Sequence, residues 1–300
     1  MEDPLIMGTY NFDPLHPANS VSVVIPVYNG ARYIAETLHS ILGQTVRPFE
    51  VIVVNDGSTD NTVAVIREFG DSVFLITTEN GGAQAARNLG AFKAQGNWLA
   101  FCDQDDLWLP TKLEKQLRLA SEAPDIQYVI TDFAEITDGV VKNRSHFSWM
   151  PNNFWTPEQH SSGFVVREPI TGKLTTFQPG ITSTSFVKKS FFQQVGGFDE
   201  EVEHGAEDTC LHFRCFSTLP FGVVPEVLMH YRRHPDSASA DPLKQLRKGV
   251  IVWNHIIAKY PQAQPYRAEL LKGLKAMRKE IAESAGYRRR QKLKRLLGLN

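Results

Sequence analysis

The sequence predicts an α/β fold with a mainly parallel central sheet flanked by helices. Three observations carry this expectation. From Val21 onward, short β-branched runs alternate with stretches of helical periodicity, the pattern of successive βαβ units. Four of the apolar runs end in polar residues, at Tyr28-Asn29, Asn55-Asp56-Gly57, Thr78-Glu79-Asn80 and Asp103-Gln104-Asp105-Asp106, and the carboxyl ends of strands form the ligand edge of an open sheet. With 300 residues, 42% of them hydrophobic and 22% charged, the chain has the composition of a folded globular protein.

Residues 21–27 read as a buried strand, and residues 31–42 as a helix with Ile34, Leu38, Ile41 and Leu42 on one face. Residues 51–54 form the next strand, and Thr59 or Asp60 caps a helix over 61–69. A strand at 73–77, a helix at 84–94 and a strand at 98–102 follow. Pro110 opens a helix to about Ala123, and a fifth strand covers 127–131. Residues 139–179 break the alternation with Phe147, Trp149, Phe154, Trp155 and Phe164 among their aromatics and with four prolines, which predicts a hairpin-rich insertion. Regularity returns with a strand at 181–187, a short helix to Val195, the Gly196-Gly197 turn, a helix from near Glu207 and a strand at 223–230. Leu243, Leu246, Val250, Trp253 and Ile257, then Leu270, Leu274, Met277 and Ile281, keep helical spacing, so the chain ends in helices.

The aliphatic runs stop at about five residues, against the ~18–20 that span a bilayer. Residues 1–20 carry Glu2, Asp3 and Asp13 and lack the basic and apolar parts of a secretory signal. Cys102, Cys210 and Cys215 are an odd number without a Cys-x-x-Cys pair, so a reducing cytoplasm is expected. Residues 272–300 carry a net charge of +8, leaving −9 on the rest of a chain whose total is −1. A basic tail on an acidic body points to an anionic surface, membrane or nucleic acid.

Three carboxylates in four residues, Asp103, Asp105 and Asp106, repel one another at a strand end unless a cation neutralises them. Oxygen ligands suit Mg²⁺ or Mn²⁺; a plain acidic turn into the next helix is the alternative. Asn55-Asp56-Gly57-Ser58-Thr59-Asp60 makes a turn and a helix cap by composition, while at this edge a carboxylate could also accept the imide N–H of a pyrimidine base. Glu207-Asp208 are either first-turn acids favoured by the helix dipole or a general base with its neighbour. Arg232, Arg233 and His234, with Ser237 and Ser239, are either a solvated loop or cations placed for a diphosphate.

Val23-Val24-Ile25-Pro26-Val27-Tyr28-Asn29, Val53-Val54-Asn55-Asp56-Gly57-Ser58-Thr59-Asp60, Ala86-Arg87-Asn88-Leu89-Gly90 and Phe101-Cys102-Asp103-Gln104-Asp105-Asp106 together resemble the family 2 glycosyltransferases of GT-A fold. The likeness extends more weakly through Gly196-Gly197-Phe198-Asp199 and Glu207-Asp208 to Ser237. It implies an inverting transfer of a sugar from a nucleotide diphosphate to an acceptor hydroxyl, for cell-surface polysaccharide or glycolipid synthesis. By the same resemblance, Pro26, Tyr28 and Asp56 line the nucleoside pocket, and Arg87 holds the base or the acidic cluster. Asp103 meets ribose or metal, Asp105 binds Mn²⁺ or Mg²⁺ with Asp106 as a further candidate, and Arg233 and His234 reach the donor. Asp208 is the base and Glu207 orients the acceptor. UDP is expected ahead of dTDP and GDP. The organisation implied is a lead-in at 1–20, a nucleotide-sugar half at 21–135, an acceptor half at 136–240 and a basic helical extension at 241–300.

A sugar nucleotidyltransferase would need a Gly-rich phosphate loop after the first strand, which Tyr28-Asn29-Gly30-Ala31 is not. A non-catalytic nucleotide-sugar or polyanion binder is the other alternative, with nucleic acid the less expected partner. In residues 288–297, six basic side chains surround Leu293, Leu296 and Leu297 at helical spacing, which fits an interfacial helix on the inner face of a membrane, a solvated helix or an oligomer contact. For the membrane role, the full chain should sediment with vesicles rich in anionic lipid and a chain ending at Ala285 should not. Equal sedimentation of the two excludes it.

Overall fold

The computed structural model describes residues 16–202, 207–218, 220–235, 237 and 240–296, the side chains of 143 and 285–296 excepted. Most of the expected lead-in, together with Ser239 and Leu297, lies outside these residues. Strands β1 (Val21–Val27), β2 (Glu50–Asp56), β3 (Phe74–Thr78) and β4 (Trp98–Phe101) alternate with helices α1 (Ile34–Leu42), α2 (Thr62–Arg67) and α3 (Ala83–Lys93). They pair in parallel in the order β3-β2-β1-β4. After β5 (Leu107–Trp108), α4 (Lys112–Glu122) and β6 (Tyr128–Thr137) come the hairpin strands β7 (Val140–Ser145), β8 (Pro157–His160) and β9 (Gly163–Val166). The chain closes with β10 (Phe186–Lys188), α5 (Lys189–Gln194), α6 (Glu207–Phe216), β11 (Phe221–Arg232), α7 (Pro242–Lys259) and α8 (Arg267–Leu296).

The sheet continues from β4 through β10, β6 and β11 to β9 and β8. Strand β10 runs antiparallel to both neighbours, whereas β6 and β11 are parallel to each other. Side chains of β1 alternate between faces: Val23 and Ile25 pack with α1 and α4, Val24 with α3. Helices therefore cover both faces, which is why the strands are apolar on both sides. Helices α6, α7 and α8 join the α3 layer through Phe213, Trp253, Ile256 and Leu270. Asp199 Oδ2 accepts from His255 Nε2 (2.9 Å) and Tyr260 Oη (2.5 Å), clasping α7 to the body.

Of the expected elements that differ, two are explained by local hydrogen bonds. Helix α1 starts at Ile34 instead of residue 31, because Gly30 O accepts from both Tyr33 N and Ile34 N and holds 31–33 in a turn. The strand expected at 181–187 is reduced to Phe186–Lys188. Residues 182–184 form a 3-10 turn in which Thr184 Oγ1 accepts from Ile181 N, and Ser183 Oγ binds the acidic loop. Hydroxyl bonds compete with the sheet ladder here and win.

Helix α3 can sit close to β1 because Gly90 has no side chain. A Cβ there would lie 2.4 Å from Val24 Cγ1 and 3.2 Å from Val54 Cγ2. Gly90→Val should thus lower the urea midpoint, overpacking costing about 1–3 kcal/mol. An unchanged midpoint would show that α3 can lift off the sheet at no cost.

Candidate active site

The carboxyl edge of β1, β2 and β4 opens into a cavity of about 570 Å³, within the usual range for small-molecule sites. Pro26, Tyr28, Asp56, Arg87, Asp103, Asp105, Glu207, Asp208 and His234 all line it. Nine of the eleven site residues expected from the sequence thus share one cavity. The other two do not reach it.

Asp106 is fully buried and turned inward, where it accepts from Ser183 Oγ (2.5 Å) and Arg232 N (3.1 Å). Burial and the charges of Asp105 and Asp103 push its carboxyl well up. It fastens the end of β11 to the acidic loop. Arg233 turns to Glu135 (2.9 Å) and Tyr231. Its neighbour Arg232 reaches Asp105 O (2.8 Å) and Glu36 (2.6 Å).

Tyr28 and the acidic loop are tied by Gln104, whose Oε1 accepts from Tyr28 N (2.8 Å) and whose Nε2 donates to Tyr28 O (3.2 Å). Asp56, 3% exposed, accepts from Gly81 N (2.7 Å) and Gly82 N (2.9 Å), so it shapes the entry to α3. A carboxylate offers about four acceptor positions, and these bonds use two.

Arg87, 4% exposed, sits between the two acidic groups: it donates to Asp103 Oδ1 and to Glu207 Oε1, both at 2.5 Å. Despite burial, the Arg87 charge holds Glu207 below the usual carboxylate range. Burial, then the charge of Glu207, pushes Asp208 up to about 6. Adjacent acids in one helical turn thereby acquire different duties: one is locked in an ion pair, the other is suited to accept a proton near neutral pH. Glu207 Oε2 is buried with no hydrogen-bond partner among the described residues.

Asp103 and Asp105 are the two carboxylates of the acidic loop that line the cavity. Burial and Asp103 raise Asp105, whose Oδ2 lies 2.9 Å from His234 Nε2. Such a set of oxygens with one imidazole fits a hard divalent cation whose remaining positions are filled by ligand oxygens. Residues that the sequence reading did not assign also meet here. Ser183 donates to Asp106 and accepts from Asp103 N (3.0 Å); Gln245 and Gly249 of α7 line the cavity. Gly249 interrupts a helical pattern, the one local sign of its position.

Asp208 titrates near 6 in the fold, against a model-peptide value of 3.8. Its ionisation therefore destabilises the fold: stability is fully present below about pH 4 and is lost as pH rises through about 6. Asp208→Asn should raise the Tm relative to the natural protein at pH 8, and the difference should vanish near pH 4. A difference independent of pH would show that Asp208 titrates normally.

Comparison with known proteins places residues 22–182 in a match to the model of glycosyl transferase family 2. An uncharacterised glycosyltransferase of Rickettsia prowazekii is 30% identical over 240 residues, 80% of this chain and 72% of that protein. The putative teichuronic acid biosynthesis glycosyltransferase TuaG of Bacillus subtilis is 40% identical over 116 residues, 37% of this chain and 44% of the relative. Among solved structures, S. aureus TarS 1–349 in complex with UDP-GlcNAc superposes with a TM-score of 0.62 at 20% identity, over 85% of this chain and 71% of TarS 1–349.

Proposed function

The chain belongs to glycosyl transferase family 2 and is a glycosyltransferase of GT-A fold; on that premise we propose that it moves a sugar from a UDP-sugar to an acceptor hydroxyl with inversion, in the making of a cell-surface polymer or glycolipid. One observation carries the reading. A single cavity joins the nucleoside-side residues Tyr28 and Asp56 and the acids Asp103 and Asp105 to a carboxylate, Asp208, whose proton affinity suits a base. The UDP and UDP-GlcNAc bound to TarS support the choice of nucleotide.

In this mechanism Pro26 and Tyr28 flank the base, and a free lone pair of Asp56 accepts its imide N–H. Asp105, Asp103 and His234 would hold Mn²⁺ or Mg²⁺, which when bound supplies positive charge for the departing diphosphate. Arg87 fixes Asp103 relative to Glu207, so the donor side and the acceptor side keep one geometry. Asp208 takes the proton from the attacking hydroxyl. Residues 21–135 act as the donor half and 136–240 as the acceptor half, in a protein working in the cytoplasm, with its basic helix against the inner membrane surface.

Asp208→Asn should lower kcat by about 10²–10⁴-fold, as for loss of a positioned base, with UDP affinity unchanged. In the natural enzyme kcat/KM should rise as pH passes about 6, where Asp208 ionises. Asp105→Ala should instead weaken UDP binding and turnover together, and calorimetry should show that it removes the effect of Mn²⁺ on UDP affinity. UDP binding that is the same in EDTA and in Mn²⁺ for the natural protein would sink the metal assignment. Turnover by Asp208→Asn above about a tenth of normal would move the base elsewhere.

A further inference from the structure

Outside the cavity, one group of side chains brings together three kinds of metal-binding atom. Asp199 in the loop after α5, Cys210 of α6 and His255 of α7 each offer one, and these atoms all lie within 4.8 Å of one another. Among the described residues no other three His, Cys, Asp or Glu side chains do so. None of the three lines the cavity. Hydrogen bonds already orient the carboxylate: Asp199 Oδ2 accepts from His255 Nε2 (2.9 Å) and Tyr260 Oη (2.5 Å), and its Oδ1 accepts from Glu201 N (3.0 Å). Cys210 is fully buried, with the Tyr260 hydroxyl within hydrogen-bond reach of its thiol.

Zinc bonds of about 2.0–2.3 Å at tetrahedral angles set ligand atoms about 3.3–3.7 Å apart. The 2.9 Å contact between His255 and Asp199 and the 4.8 Å span of the group bracket that spacing, so small side-chain rotations meet it. Thiolate, imidazole and carboxylate are the ligand types of zinc sites, and the soft sulfur disfavours Mg²⁺ and Ca²⁺. Solvent reaches the group from the side of Asp199 and His255, whose side chains are each 16% exposed. An ion therefore has a way in, and the Tyr260 hydroxyl or a water can fill the fourth position.

We infer that Asp199, Cys210 and His255 form a zinc site that fastens α7 to α6. Burial pushes the free Cys210 thiol up to about 12, so on binding its proton is released to water and the ion takes the thiolate. Neutral His255 keeps its one N–H on Nδ1, which frees Nε2 for the metal. The thiolate and the Asp199 carboxylate together balance the charge of a divalent ion. Helix α6 opens with Glu207 and Asp208, and α7 carries Gln245 and Gly249, all four of which line the cavity. The ion thus ties two elements of the cavity wall together while standing outside the cavity.

The test titrates the full chain, freed of metal by a chelator, with Zn²⁺ and, for its spectrum, with Co²⁺. One equivalent of Zn²⁺ should bind, raise the Tm and slow amide exchange over Pro242–Lys259 while leaving β1 to β4 unchanged. Co²⁺ in the same place should show a thiolate-to-metal charge-transfer band. Cys210→Ser should abolish the band and weaken Zn²⁺ binding by more than the about 10–100-fold that loss of an outer partner costs. His255→Gln, at a partly exposed position, should weaken it as much and serves if the core variant does not fold. Cys102→Ser and Cys215→Ser should keep the band, and Asp105→Ala should keep Zn²⁺ binding, which separates this site from the carboxylates of the cavity. Absence of the band in the natural protein, a band that survives Cys210→Ser, or Zn²⁺ binding unchanged by His255→Gln would overturn the site. Exchange in α7 that ignores Zn²⁺ would overturn its role as a fastening.

Discussion

The candidate active site is organised around one buried guanidinium. Arg87 reaches from α3 to Asp103 after β4 and to Glu207 at the start of α6, and it is shielded from water. A buried cation between two carboxylates is costly to assemble and far more costly to leave incomplete. That asymmetry fixes geometry: any shift of α6 relative to the parallel part of the sheet would strand a charge. The acids that follow β4 and the acids that open α6 are therefore held at one separation before any ligand arrives.

The acids differ in fate because their surroundings differ. Asp106, chemically the same as Asp105, is turned to Ser183 and the backbone of Arg232 and serves as a strut, while Asp105 lines the cavity and meets His234. Glu207 is neutralised by Arg87, and Asp208, next to it in the chain, is left to carry the electrostatic penalty. Preorganisation of this kind places charges where a reaction needs them without reorganisation during the reaction.

The second wall is assembled from elements distant in sequence. The turn at 182–184 braces the acidic loop by hydroxyl bonds, β11 delivers His234, and α7 is clasped to Asp199 through His255 and Tyr260. The second wall thus includes α7, through Gln245 and Gly249, in addition to Gln178 of the irregular 139–179 segment.

The sequence by itself determined the strands β1 to β4 of a mainly parallel sheet and its ligand edge, though not the strand order, because alternation of β-branched runs with helical periodicity is a local property and polar residues at strand ends mark the edge directly. It also determined which residue types meet there: Asp56, Asp103, Asp105, Glu207 and Asp208 could be named from strand ends, a helix start and the family resemblance. Only the tertiary structure decided their division of labour. Arg87 and Glu207 are 120 residues apart, and nothing local states that they pair. The same holds for the inward turn of Asp106, the shortened strand at 186–188 and the arrival of Gln245 and Gly249 at the cavity. Each depends on which surface an element buries against, and burial sets both the side chain's direction and its proton affinity.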